Sequence, residues 1–158
     1  MLTPTDTHYL VGLLSQLTHP DNVEVELGSM VYDQTTKSLR DVDVTINVVG
    51  LNNERTVFKA VEVKALGRKV GSEIVEQLAQ KLNDMPSVDR KAIVSASGFT
   101  RPATRKAEAH NVELFELREW SPQDDLNTFG HVLSRGVFVF YQWLAPVQVR
   151  LNPGAEFN

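Results

Sequence analysis

Between residues 40 and 64 the chain alternates polar and apolar positions in the manner of paired β-strands. The period of two is that of a strand with two different faces. The apolar positions of the first half are Val42, Val44, Ile46 and Val48, and the polar ones are Asp41, Asp43, Thr45 and Asn47. The second half is apolar and β-branched until Glu62 and Lys64, which are two apart and therefore share a face. The pattern predicts a β-hairpin with one polar face.

A turn at Asn52–Asn53 fits between the two strands, because asparagine tolerates positive φ. A hairpin folded about that turn places Asp43 opposite Glu62, and Asp41 opposite Lys64. Facing carboxylates repel by roughly 0.2–1 kcal/mol, and a cation between them reverses the sign. Mg²⁺ suits a site of one or two carboxylates, phosphate oxygens and water. With Lys64 available to bind a phosphate or hold an attacking water, the face outlines a metal-dependent phosphodiesterase site.

The segments around the hairpin predict the remaining elements. Before it come a helix, capped by Thr5 or Asp6, and a strand from residue 22 towards Tyr32, with a turn over residues 33–38. The apolar stripe of the helix is Tyr9, Leu10, Leu13, Leu14 and Leu17. After the hairpin the pattern predicts a helix capped by Ser72, a strand over 91–96, a helix from Pro102 to about His110, and a strand over 112–117. The apolar arc of the Ser72 helix is Ile74, Val75, Leu78, Ala79 and Leu82.

The order αβββαβαβ indicates an α/β fold with a central mixed β-sheet flanked by helices. We expect one domain over residues 1–118 and a C-terminal β extension over residues 119–158, in which residues 136–144 are strand-like. The extension is compatible with an added hairpin, a homodimer contact, or the start of a further domain, such as a targeting domain.

Composition limits the classes of function. The 158 residues suffice for one domain with a core, and the absence of cysteine excludes disulfides and cysteine-based zinc sites. Sixteen Lys and Arg against twenty Asp and Glu give a net charge of −4, which argues mildly against a non-specific nucleic-acid binder. The basic residues nevertheless cluster in the middle of the chain. No signal-like N-terminus or run of membrane-spanning length is present, so we expect a cytoplasmic protein.

Asp43 followed by Glu62-Val63-Lys64 resembles the (D/E)…(D/E)xK signature of the PD-(D/E)xK, or restriction-endonuclease-like, nuclease superfamily. The following segments resemble its Mrr-type restriction endonuclease branch in particular. They are Val70-Gly71 opening a helix with Gln77, Ala92-Ile93-Val94-Ser95 before Gly98-Phe99-Thr100, the helix from Ala103 to Ala109, and Val112-Glu113-Leu114-Phe115. The resemblance covers roughly residues 5 to 118 and implies a restriction-endonuclease-like core.

The resemblance implies that Asp43 and Glu62 bind Mg²⁺ or Mn²⁺, and that Lys64 positions or deprotonates the attacking water. Gln77 is implied to orient the site from the following helix. Cleaved DNA strands are the implied product, in host defence or DNA processing. We expect the nucleic acid to contact Arg68, Lys69, Lys81, Thr100 and Arg101, although Lys81 also fits a solvated position and Thr100 a plain helix cap.

One departure concerns the first helix, which in the family often supplies another acid and here has no glutamate between His8 and Thr18. Glu26 is the candidate substitute as a metal ligand, since a turn centred on residues 35–36 places it opposite Thr45. The four histidines lack metal-ligand spacing, so His8 is interpreted as structural or exposed.

Two other functions remain open at this point. A catalytically silent member of the same fold that binds nucleic acid or a protein partner is consistent with the negative charge and the missing acid. An assembly domain that uses the strand-like segment over residues 137–144 as its interface is a third interpretation.

Overall fold

The computed structural model describes residues 3–18, 23–49, 55–119 and 138–142. None of the helices in these ranges combines the length and the hydrophobicity needed to cross a membrane. The predicted turn at Asn52–Asn53 and the tail beyond residue 142 lie outside the described residues.

The predicted order of elements is confirmed. In the described part of the chain, three helices and six strands follow one another as α1 (Pro4–Thr18), β1 (Val23–Asp33), β2 (Ser38–Val49), β3 (Arg55–Lys64), α2 (Ser72–Asn83), β4 (Arg90–Ser95), α3 (Arg101–Ala109), β5 (Val112–Glu119) and β6 (Phe138–Gln142).

The described strands form one mixed sheet in the order β1-β2-β3-β4-β5-β6. β1, β2 and β3 pair antiparallel, β3, β4 and β5 pair parallel, and β6 pairs antiparallel with β5. One face packs on α1 through a core that contains Val11, Val44, Val61 and Val63. The other face packs on α2 and α3, with Ile93 of β4 at its centre. The fold is therefore a sheet covered on both sides, which confirms the α/β class.

Helix α1 begins two or three residues earlier than predicted. Thr3, and neither Thr5 nor Asp6, is the cap: its hydroxyl accepts from the Asp6 N–H at 3.1 Å, and the Asp6 carboxylate accepts from the Thr3 N–H at 2.9 Å. The predicted apolar stripe is also wrong in part. Tyr9 and Leu13 are exposed, because the face that meets the sheet runs along Val11 and Leu14.

The two helices on the other face differ in how they begin. Helix α2 buries its predicted arc, but Gly71 is its N-cap and no side chain caps it, so the prediction of a Ser72 cap is wrong. Helix α3 has Thr100 as N-cap, and the Thr100 hydroxyl accepts from the Ala103 N–H at 3.3 Å. The interpretation of Thr100 as a plain cap is thus confirmed.

The strict alternation predicted for β2 is interrupted at Asp43. Val42 packs with Phe58 and Ala60, whereas Val44 packs with residues of the opposite face of β3. In a regular strand two residues this far apart would share a face. Gly28 of β1, the residue that faces Asp43 by register, has φ +69°, and the turn in its backbone lets both strands change sides. The predicted single polar face from Asp41 to Asn47 is therefore wrong.

The turn between β1 and β2 is organised by Asp33. Its Oδ1 accepts from the backbone N–H groups of Thr35 and Thr36, both at 2.8 Å, and its Oδ2 receives Arg40 Nη1 at 2.9 Å. Short carboxylate-to-backbone bonds of this kind are what makes aspartate a turn former. The N–H of Thr36 and the Arg40 guanidinium hold the pKa of the Asp33 carboxyl below its ordinary value.

Replacing Asp33 by asparagine is expected to lower the melting temperature at neutral pH by several degrees, since the charge that Arg40 meets is lost. A depressed native pKa gives stability that is present above the unfolded pKa of about 3.9 and is lost as the pH falls through the native value. The difference in melting temperature between Asp33→Asn and the wild type should therefore become smaller below about pH 4. Asp41→Asn, an exposed carboxylate on the same hairpin, is the control and should melt like the wild type.

Candidate active site

Asp43 lies where β2 and β3 separate. The ladder between them runs with the predicted register from Val48↔Val57 to Val44↔Val61 and ends there. Beyond it the Asp43 carboxylate takes the place of a backbone acceptor, because its Oδ2 accepts from the Val63 N–H at 2.6 Å. The acid is therefore fixed at the point where the sheet opens.

Glu62 occupies the next position of the same register, on the side of β3 that faces α2. Its side chain is buried, at 3% exposure, because β4 pairs alongside β3 and α2 covers it. Lys81 of α2 donates from Nζ to Glu62 Oε1 at 2.6 Å. A carboxylate with so little contact with water requires such a partner to stay charged.

Lys64 lies between the two carboxylates. Its Nζ is 3.5 Å from Glu62 Oε2 and 3.8 Å from Asp43 Oδ2. The structure thus brings together the three residues of the predicted signature at the carboxyl end of β3. The predicted pairing of Asp41 with Lys64 is wrong, because β2 and β3 have already separated at this point. Asp41 pairs with Met30 of β1, on the other side of β2.

The electrostatics of the site follow from burial. Removal from water raises the pKa of the Glu62 carboxyl, the hydrogen bond from Lys81 opposes that rise, and the Asp43 charge adds to it. The Asp43 carboxylate is partly exposed, at 16%. Two acids are therefore held together with a mutual repulsion that the ammonium groups of Lys64 and Lys81 offset.

The residues present fit a divalent cation. Two carboxylates, one buried and one partly exposed, form the oxygen donor set that Mg²⁺ and Mn²⁺ prefer. Within the described ranges no group of three His, Cys, Asp or Glu side chains is close enough to hold a metal. The remaining ligand positions would accordingly belong to water and to phosphate oxygens.

Three predicted site residues are placed differently from Asp43, Glu62 and Lys64. Glu26 pairs with Thr45 as expected but is exposed, and the described residues do not bring it into a metal-binding group with Asp43 and Glu62. Gln77 is exposed one helical turn before Lys81, and among the described contacts it makes no hydrogen bond to the three. Lys81, predicted to contact nucleic acid or solvent, is instead directed at the buried Glu62. Its ammonium is bound to Glu62, and only 12% of its side chain is exposed.

His8 is a residue of this site that sequence reasoning missed. Helix α1 carries it to the opening between β2 and β3, where its Nε2 lies 4.0 Å from Asp43 Oδ2. Its position on the first helix, where the family resemblance called for an acid, was the signal available.

The loops that follow β3 and β4 are tied together next to Lys64. Val70 and residues 98–100 exchange two backbone hydrogen bonds, Val70 N–H to Gly98 O at 2.9 Å and Thr100 N–H to Val70 O at 3.0 Å. The Ser97 hydroxyl also donates to Arg68 O at 2.5 Å. Arg68 and Lys69 are exposed on the first of these loops, and Arg101 is exposed at the start of α3. The predicted basic residues other than Lys81 therefore share one edge of the sheet with Lys64, and we call these three residues the basic edge.

Solved structures resemble this architecture at low sequence identity. A protein of unknown function, AF1548, superposes with a TM-score of 0.55 and 14% identity over 68% of this chain and 56% of its own. The DNA modification-dependent restriction endonuclease AspBHI superposes with a TM-score of 0.49 and 19% identity, over 71% of this chain and 28% of its own. A repair endonuclease from Pyrococcus abyssi superposes with a TM-score of 0.43 and 16% identity, over 72% of this chain and 46% of its own. The chain thus spans little more than half of the first of these proteins and less of the others, and the likeness to AF1548 concerns the fold alone.

The comparison with protein families is more specific. No curated protein matches the chain. The family model Mrr_cat, described as restriction endonuclease, matches residues 22–121, a range that contains Asp43, Glu62 and Lys64 together with β1 to β5. This match confirms the resemblance drawn from the sequence. The chain belongs to the Mrr_cat family of restriction endonucleases.

Proposed function

We propose that the chain is a Mg²⁺-dependent endonuclease domain of the Mrr type that hydrolyses phosphodiester bonds of DNA. The observation that carries the proposal is the position of the Lys64 ammonium between the Asp43 and Glu62 carboxylates. An ammonium beside two acids at the open end of a sheet is suited to a phosphate ester, whose reaction adds negative charge to oxygen. The family match supports a nuclease, and we propose in addition that its metal is Mg²⁺ and its substrate DNA.

Asp43 and Glu62 would hold the cation, and the chain fixes each of them differently. The Val63 N–H restrains Asp43 Oδ2, and Lys81 restrains Glu62 Oε1. Held in this way, the two acids need little rearrangement when substrate arrives, which lowers the entropic cost of reaching a reactive geometry. Mg²⁺ bound there supplies a Lewis acid and a water of lowered pKa.

Lys64 acts on the phosphate and its attacking water. Its side chain is 28% exposed, so the ammonium can reach solvent and substrate without leaving the two carboxylates. From that position it would orient the water by hydrogen bonding and stabilise the additional charge on the pentavalent phosphorus centre. The exposed Arg68, Lys69 and Arg101 beside it would contact the phosphates that flank the cleaved bond.

A second candidate function is a catalytically silent domain of the same family that binds nucleic acid or a protein partner. The observation that favours it is the balance of charge in the site, where two ammonium groups already meet the two carboxylates. The two functions differ in whether the site takes up a divalent ion.

Cleavage of plasmid DNA with Mg²⁺ or Mn²⁺ tests the proposed activity. Asp43→Asn and Lys64→Met should each slow cleavage at least about a hundredfold, because one removes a metal ligand and the other the charge beside the phosphate. Asp41→Asn, two residues earlier on β2 and exposed, should cleave at the wild-type rate. Equal rates in all four proteins would reject the assignment of these residues.

Metal uptake separates the enzyme from the silent domain. Mn²⁺ should raise the melting temperature of the wild type, since a ligand present at a hundred times its Kd adds about 2.7 kcal/mol to the free energy of unfolding. Asp43→Asn should show a much smaller rise, and chelation by EDTA should abolish the rise in the wild type. A wild-type melting curve that Mn²⁺ leaves unchanged would favour the silent domain.

The basic edge is tested by binding to DNA in the cleavage-deficient Asp43→Asn background. Arg68→Ala and Arg101→Ala should each weaken binding for all sequences and lower the slope of log K against log salt by about one. Lys37→Ala, an exposed lysine in the turn between β1 and β2, is the control and should leave the slope unchanged. A slope unaffected by either arginine would place the DNA elsewhere on the molecule.

A further inference from the structure

Glu62 and Lys81 form a nearly dry ion pair within the candidate site. The Lys81 ammonium is 2.6 Å from Glu62 Oε1, with the two side chains 12% and 3% exposed. Pairs of this kind contrast with the exposed pair of Lys106 and Glu76 on α3 and α2, which water screens. A buried partner fixed on one carboxylate oxygen restricts what the other oxygen can do.

The positions of Lys81 and Glu62 are set by a helix and a strand. Lys81 lies between Leu78 and Leu82, whose side chains are buried, so its aliphatic part follows the apolar arc and its ammonium meets the sheet. Glu62 is fixed on β3 by parallel pairing with Ile93 of β4. Both backbones are parts of regular elements, and the contact therefore does not depend on a loop.

The two oxygens of Glu62 have different partners. Oε1 receives Lys81, whereas Oε2 lies 3.5 Å from Lys64, on the side where Asp43 is found. We propose that Lys81 is a positioning residue of this site: it holds Glu62 through Oε1, so that Glu62 offers only Oε2 to a divalent cation, and its charge weakens the binding of that cation. This inference rests on the proposed function, because it concerns the same metal site.

The sign of the effect follows from the charges. Asp43 and Glu62 carry two negative charges, and Lys64 and Lys81 carry two positive ones. Without the Lys81 charge, Glu62 keeps Lys64 as its charged partner, 3.5 Å from Oε2. The group of four then becomes negative, and a divalent cation binds more tightly because one repulsion is removed. Cleavage should nevertheless slow, because the Glu62 carboxylate is then no longer held through Oε1 and can rotate away from the orientation that the reaction requires. A purely structural lysine predicts the opposite for the metal, because a loosened site binds it more weakly.

The experiment measures the Kd of Mn²⁺ by calorimetry and the rate of plasmid cleavage, both at one fixed pH. Lys81→Gln keeps a donor for Oε1 and removes the charge, Lys81→Met removes both, and Lys81→Arg keeps both. We expect Lys81→Gln and Lys81→Met to bind Mn²⁺ about tenfold more tightly, which corresponds to about 1.4 kcal/mol. Lys81→Met should also cleave at least tenfold more slowly, roughly the loss of one well-placed contact. Lys81→Arg should restore wild-type affinity.

Lys106→Gln is the matched control, since it removes an ammonium from an exposed pair with a glutamate on α2 and should change neither quantity. Weaker Mn²⁺ binding in Lys81→Gln, with the wild type still binding the ion, would overturn the role of Lys81 and leave the proposed function standing. Absence of Mn²⁺ binding in the wild type would overturn both. Loss of the folded state in Lys81→Gln as well as Lys81→Met would show that the lysine is structural, which also contradicts the proposal.

Discussion

The arrangement of this protein depends on the place where β2 leaves β3. Past the pair Val44↔Val61, β3 has no backbone partner on the side of β2. An unpaired buried N–H costs free energy comparable to a lost hydrogen bond. The Asp43 carboxylate satisfies the Val63 N–H at 2.6 Å. The same bond that completes the sheet therefore sets the position of an acid, and β3, still paired with β4, carries Glu62 and Lys64 to it. Stability of the strand and geometry of the site have a single cause.

Burial explains why the site needs its lysines. A carboxylate removed from water is costly unless it is paired, and Glu62 is enclosed by β4 and α2. Lys81 compensates from the helix side and Lys64 from the open side, at 2.6 and 3.5 Å. The two lysines differ in access: one is enclosed against the apolar arc of α2, and the other is partly in contact with solvent. That difference is the reason for proposing that Lys81 holds the acid and that Lys64 meets a substrate.

The basic edge and the acidic site share a scaffold. The loops after β3 and β4 are joined by backbone hydrogen bonds between Val70 and residues 98–100. Arg68 and Lys69 on the first loop and Arg101 at the start of α3 lie at the end of the sheet where Lys64 is found. A net negative chain can thus present a local positive surface where a polyanion would lie. The family match covers the segment that builds both features, residues 22–121.

The sequence predicted the order of the elements and the register of β2 against β3 correctly, and it singled out Asp43, Glu62 and Lys64, because periodicity and the spacing of charged residues are visible along the chain. It was wrong about the face shared by Asp41 and Asp43, since a change of side at Gly28 depends on backbone torsion and not on alternation. It assigned Lys81 to nucleic acid or solvent and missed its contact with Glu62, and it missed the place of His8 in the site. Whether a helical lysine reaches solvent or a buried glutamate, and which turn of α1 lies over the opening of the sheet, is fixed by the packing of elements far apart in the chain. Those contacts depend on tertiary packing, because their free energy comes from the burial of groups that are not neighbours in sequence.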